Sequence, residues 1–123
     1  MDSFEKMQLC AGFAHEKKAQ HLVVLDVKEQ SAFTNYFIIC SGSSTRQVQA
    51  VAENVELMMK NQGLRARGSE GMKNGRWVLL DYDDVIIHVF HEEDRAFYDL
   101  ENLWQNCPRI VCEYADVPDT TKQ

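Results

Sequence analysis

The fold class this sequence predicts is a single α/β domain, a mixed sheet of about five strands flanked by helices, and three observations predict it. The 123 residues fall near the commonest domain size, enough for one core. Hydrophobic residues reach 45%, ample for a buried interior, while charged residues at 26% match the globular average. Apolar runs of strand length alternate along the chain with longer stretches of helical period, the pattern of strands and helices sharing one core. On this reading the domain spans 1–108, and 109–123 form a loosely ordered tail.

Residues 3 to about 19 read as a helix: Met7, Cys10, Ala11 and Ala14 share one stripe, and Lys17 and Lys18 near its end suit the helix dipole. The β-branched run His21 to Val27 is a first strand, and the polar stretch Lys28 to Asn35 a loop. Tyr36 to Cys40 is apolar on both faces, the mark of a strand inside a covered sheet. Ser41-Gly42-Ser43-Ser44 ends it, and Ser44 with Gln47 fits a capping box for a helix reaching about Gln62, with Gly63 as its stop. Val48, Val51, Ala52, Val55 and Met59 form its inner stripe. A short strand, Leu64 to Arg67, would complete a right-handed βαβ crossover. The glycine-rich stretch Gly68 to Gly75 reads as a mobile loop. Arg76 to Tyr82 and Val85 to Phe90 form a hairpin through Asp83-Asp84. A third helix starts near Glu92, with Glu93 and Asp94 suiting its positive end, and runs to about Asn106, where Pro108 stops it.

Net charge narrows the function. Thirteen Lys and Arg against nineteen Asp and Glu, a balance of −6, argue against nucleic acid as the main contact. A basic protein partner remains open. The first residues show neither a basic n-region nor an apolar h-region, and no Arg precedes Arg46. No apolar run approaches the roughly 18 residues of a membrane span. The expected setting is therefore cytoplasmic, with Cys10, Cys40, Cys107 and Cys112 as reduced thiols.

The sequence offers residues for three chemistries. His88 and His91 are three apart, so in a strand they face opposite ways, and Cys107 and Cys112 lack a usual zinc spacing. No metal site is expected. Gly42-Ser43 after an apolar strand resembles the phosphate-cradling turn of nucleotidyltransferases, but the following residues bring no carboxylate until Glu53 to hold a metal. Asp81, Asp83 and Asp84 are more simply turn formers. No Ser or Cys sits in a nucleophile elbow, and Cys40 reads as a small buried hydrophobe. Neither a cofactor nor catalysis is expected.

What remains is a surface. From Asp81 to Glu101 there are eight acidic residues and one basic residue, Arg95. Strand alternation puts Trp77, Leu79 and Asp81 on one face and Val78, Leu80 and Tyr82 on the other. On one continuous helix, Ala96, Leu100, Leu103 and Cys107 would point inward, with Phe97 and Trp104 at the edge and Tyr98 outside. Aromatics ringed by acids suit docking of a basic protein. The candidate partner-binding residues are Trp77, Asp81, Tyr82, His91, Arg95, Tyr98 and Asp99. Arg46 and Gln47 are expected to be structural, Arg46 by reaching Asp26 or the neighbouring loop.

The chain also resembles the ribosome-silencing factor family, called Iojap-like, in its bacterial form. The resemblance rests on Val24 to Val27, Asn35 to Val48, Glu70-Gly71, Gly75 to Tyr82 and Val85 to Asp99, and spans roughly Leu22 to Trp104. It implies a nucleotidyltransferase-like α/β fold without catalytic acids. It also implies binding to the large ribosomal subunit through that subunit's fourteenth protein, a steric block on joining of the small subunit, and lowered translation when nutrients are scarce. Members are often homodimers when free. The family usually has Asp at the position of Asn35, Gly at Asp83 and Pro at Glu92, so the shape of those turns is in question, not the function. The rival readings are a surviving nucleotide binder at Gly42 and Ser43, and a scaffold for subunit maturation.

Overall fold

In the computed structural model, which describes residues 1–115, capping and apolar spacing set the elements. They are α1 (Ser3–Glu16), β1 (Gln20–Asp26), β2 (Tyr36–Gly42), α2 (Thr45–Asn61), β3 (Gly68–Glu70), β4 (Trp77–Asp81), β5 (Val85–His91), α3 (Glu92–Tyr98) and α4 (Leu100–Leu103). The Asp2 carboxylate accepts from the Glu5 N–H at 2.8 Å and starts α1. Ser44 does the same for α2 through the Gln47 N–H at 3.1 Å. Lys18, at φ 63, turns the chain after α1, which therefore ends at Glu16 rather than near residue 19.

The five strands form one mixed sheet in the order β1-β2-β5-β4-β3. Only β2 and β5 pair in parallel; the other ladders are antiparallel. Every residue of β2 is buried, as a strand apolar on both faces requires. The strand expected at Leu64–Arg67 instead lies at Gly68–Glu70, because the ladder to β4 begins only where the Arg67 N–H reaches the Asp81 carbonyl at 2.7 Å. β3 still runs in the same sense as β2, but β5 and β4 stand between them. Nor is Gly68 to Gly75 a free loop. Beyond the edge strand, Gln49 on α2 donates to the Met72 and Lys73 carbonyls at 3.0 and 3.1 Å. Gly71, at φ 84, lies against the Trp77 carbonyl, where any Cβ would clash.

α1 and α2 cover one face of the sheet. Met7, Cys10, Val48, Val51, Val55 and Met59 meet Val24, Ile38, Val78, Leu80 and Ile87 there with essentially no exposure. Each such side chain contributes about 1.5–3 kcal/mol of burial. The other face is thinner: Val23, Leu25, Val27, Phe37, Ile39 and Phe90 lie under Leu100, Trp104 and Cys107. The expected single helix from Glu92 to Asn106 is two short ones, because Asp99 takes a left-handed conformation at φ 47. That break resets the helical wheel. Ala96 and Leu103, expected to face inward, are exposed, while Trp104 meets Phe37 edge-on at 4.9 Å.

The tail does not loosen at residue 109. Arg109 bridges to Leu25, and the Ile110 N–H donates to the Val24 carbonyl at 2.9 Å, so the segment pairs with the free edge of β1. Tyr114 closes over Gly12 and lies 5.1 Å from the His15 ring. The rest of the expected tail, 116–123, lies outside the described residues.

Candidate functional site

The strand alternation that buries Val78, Leu80 and Tyr82 beneath the helices turns Trp77, Leu79 and Asp81 to the thinly covered face. Tyr82 is thereby excluded from any docking surface. Only 3% of it is exposed, its hydroxyl is buried without a partner among the described residues, and burial pushes its pKa up.

On the thin face a row of rings runs from the core to solvent. Phe90 is fully buried, and the Trp77 indole stacks on it at 4.7 Å with 28° between planes. Tyr98 follows at 5.0 Å from Trp77, and Phe97 stands edge-on to Tyr98 at 5.1 Å. Tyr98 is 51% exposed and Phe97 81%. Beneath, Trp77 Nε1–H donates to His88 Nδ1 at 3.1 Å. His88 is buried, and that burial pulls its pKa down to about 4, so it is neutral at pH 7.

Carboxylates rim the row, but several are already engaged. Arg76 binds Asp94 closely and reaches Glu93 at 3.4 Å. Asp99 and Glu92 stay exposed. His91 accepts from the Glu93 N–H at 3.2 Å through Nδ1 and so caps α3. Arg95 faces inward: its Nε–H donates to Glu101 at 2.9 Å, and its guanidinium donates to Ser41 Oγ at 3.1 Å and the Gln20 carbonyl at 3.5 Å. Asp81 accepts from the Asp83 N–H at 2.8 Å, which makes it a turn former. It sits four residues from Trp77, about 13 Å along the strand.

Of the seven candidates, Trp77 and Tyr98 meet ring to ring; Asp99 follows Tyr98 at the helix break and lines a hollow with Glu92 and Arg95, while His91 caps α3. Asp81 sits at the far end of β4 and Tyr82 on the opposite face. Phe97, Arg76 and His88 also serve this face and are not among the seven. The left-handed residue that exposes Leu103 has no clear mark in the sequence. The His88 pairing was there to be found, because Trp77 and His88 are diagonal neighbours on one face of a hairpin.

The turn at Gly42-Ser43 is filled by the chain itself. The Ser43 N–H and hydroxyl both donate to Gln47 Oε1, at 2.8 and 3.0 Å, and Gln47 Nε2 donates to the Lys18 carbonyl at 3.0 Å. The amide that would meet a phosphate oxygen already has its acceptor. Gln47 is structural, as expected. Arg46 is not: it is exposed, has no hydrogen-bond or ion-pair partner among the described residues, and leaves Asp26 to Lys28 at 3.3 Å. Burial pushes the Cys10 and Cys40 thiols up to about 12, far from the thiolate a nucleophile needs. Among the described residues, no three His, Cys, Asp or Glu side chains are grouped to hold a metal ion. None of the described helices is long and apolar enough to cross a membrane.

Fold and face define a small one-sheet α/β domain that presents an aromatic row rimmed by acids and keeps its glycine turn closed. A family model described as "Ribosomal silencing factor during starvation" matches residues 1–123. The chain belongs to that family. It is similar to the ribosomal silencing factor of Halalkalibacterium halodurans, 40% identical over 92% of this chain and 97% of the relative. The Bacillus subtilis ribosomal silencing factor is 37% identical over 83% of this chain and 86% of its own length. The crystal structure of a protein from Chromobacterium violaceum superposes with a TM-score of 0.84 at 30% identity, covering all of both chains.

Proposed function

We propose that this protein binds the large ribosomal subunit through that subunit's fourteenth protein, using the face built from Trp77, Tyr98 and Asp99. Occupying that surface keeps the small subunit away and represses translation when nutrients are limiting. The action is steric and needs neither catalysis nor cofactor. It takes place in the cytoplasm, on the protein partner rather than on RNA as the main contact, and free copies pair as homodimers. One observation carries the reading: Trp77, Tyr98 and Phe97 form a continuous ring-to-ring row ending in solvent. Rows of this kind supply the central anchors of protein interfaces. Past Tyr98, the exposed Asp99 and Glu92, which share a hollow with Arg95, suit a basic partner.

Tyr98 gives the direct test. Tyr98 is half-exposed, so truncation leaves the core intact, whereas an interface anchor costs about 2 kcal/mol or more when removed. Tyr98→Ala is expected to melt within about 0.5 kcal/mol of the parent. It should no longer co-sediment with purified large subunits, and joining should resume in a reconstituted assay. A folded Tyr98→Ala protein that blocks joining at parental concentrations overturns the proposal.

A further inference from the structure

The docking face depends on where one indole sits, and one polar contact holds it there. Trp77 Nε1–H can only donate, so His88 Nδ1, 3.1 Å away, must accept and be unprotonated. The imidazole proton is thereby placed on Nε2, which is buried and has no hydrogen-bond partner among the described residues. Around the imidazole the layer is aromatic: Phe37 stands edge-on at 5.1 Å and Phe90 lies at 6.2 Å with 17° between planes. A buried donor left unpaired is destabilising, and an apolar side chain at this position would avoid it. What a histidine supplies here, and Phe or Leu cannot, is an acceptor for the indole. Stacking on Phe90 sets the plane of the Trp77 ring but does not fix its rotation within that plane. The bond to His88 does.

The geometry points to His88 as a positioning residue: its Nδ1 locks the Trp77 indole against Phe90 and beside Tyr98, so that Trp77 and Tyr98 meet the ribosomal partner as one preformed surface. This rests on the docking role proposed above. It adds that a core residue which touches no partner tunes affinity by keeping an anchor ordered before contact, which lowers the ordering cost of association.

The experiment uses the full chain labelled with ¹⁵N and purified large subunits. His88→Phe keeps a ring but removes the acceptor. His88→Asn offers Oδ1 close to where Nδ1 stood. Trp77→Phe removes the donor without touching His88. In His88→Phe the Trp77 indole N–H resonance should move and exchange faster with water, while that of Trp104 stays in place. Affinity for large subunits should fall about tenfold, the equivalent of one hydrogen bond's net worth. His88→Asn should restore most of both. Trp77→Phe should bind as weakly as His88→Phe, and combining the two should cost nothing further. If His88→Phe is too unstable to purify, Trp77→Phe and His88→Asn carry the test alone. Parental affinity in Trp77→Phe, or no recovery in His88→Asn, overturns the positioning role. Parental affinity in Trp77→Ala is a different outcome, because it overturns the docking face itself.

Discussion

Two buried or strained residues set measurable properties of this protein. His88 loses stability to acid. Its folded pKa of about 4 lies below the ordinary 6.5, so between those values the unfolded chain binds the proton and the folded chain does not. The stability is complete above about pH 6.5 and falls as pH drops toward 4, by up to about 3 kcal/mol at 1.36 kcal/mol per pKa unit. His88→Phe should flatten that part of a melting-temperature profile, and an unchanged profile would exclude His88 as the cause. Asp83 illustrates backbone cost. It turns the β4–β5 hairpin at φ 76, a conformation that favours glycine. Its ion pair with Arg67 at 2.7 Å is two-thirds exposed on both sides and so worth little. Asp83→Gly is expected to gain up to about 1 kcal/mol, read as a rise of a few degrees in melting temperature. A fall would show that the Arg67 pair outweighs the strain.

At the scale of elements, the start of α2 decides whether any nucleotide function survives. Ser44 caps the helix and Gln47 fills the preceding turn, so the same short segment both starts the helix and closes the cradle. A ligand that binds only the folded state must raise apparent stability. Mg-ATP at millimolar concentration should therefore leave the melting temperature unchanged, and a rise of several degrees would reinstate the nucleotide-binding reading. The break between α3 and α4 has the opposite consequence, because it creates surface. With Asp99 left-handed, Phe97 and Leu103 turn outward rather than under one continuous helix. The Ser-to-Gln spacing made the first element legible in sequence. The second was not, since Asp99 adopts its conformation without a glycine to announce it.

For the whole molecule, charge distribution matters more than net charge. The eight acids between Asp81 and Glu101 are not all available: Asp84 holds Lys6 at 2.6 Å, Asp94 and Glu93 hold Arg76, and Glu101 holds Arg95. The free field beside the rings is thus smaller than the sequence count suggests. Binding to large subunits should still weaken with salt, since exposed charges are screened within about 8–10 Å at 0.10–0.15 M. The aromatic row gives a salt-insensitive remainder. Affinity measured from low to high ionic strength should fall and then level off. A flat curve would remove charge from the account.

The sequence by itself determined the class of fold, the strand alternation of the hairpin and the cap of α2. These are local matters, set by periods of 2 and 3.6 and by side chains that bond within a few residues. Tertiary structure alone decided the strand order, the placement of two strands between β2 and β3, and the pairing of Arg109 and Ile110 with β1. It also decided that Tyr82 belongs to the core and that Arg95 is a brace. Each of those outcomes depends on which face of a sheet is covered, and by what. That depends on contacts between residues far apart in the chain, which no local pattern encodes.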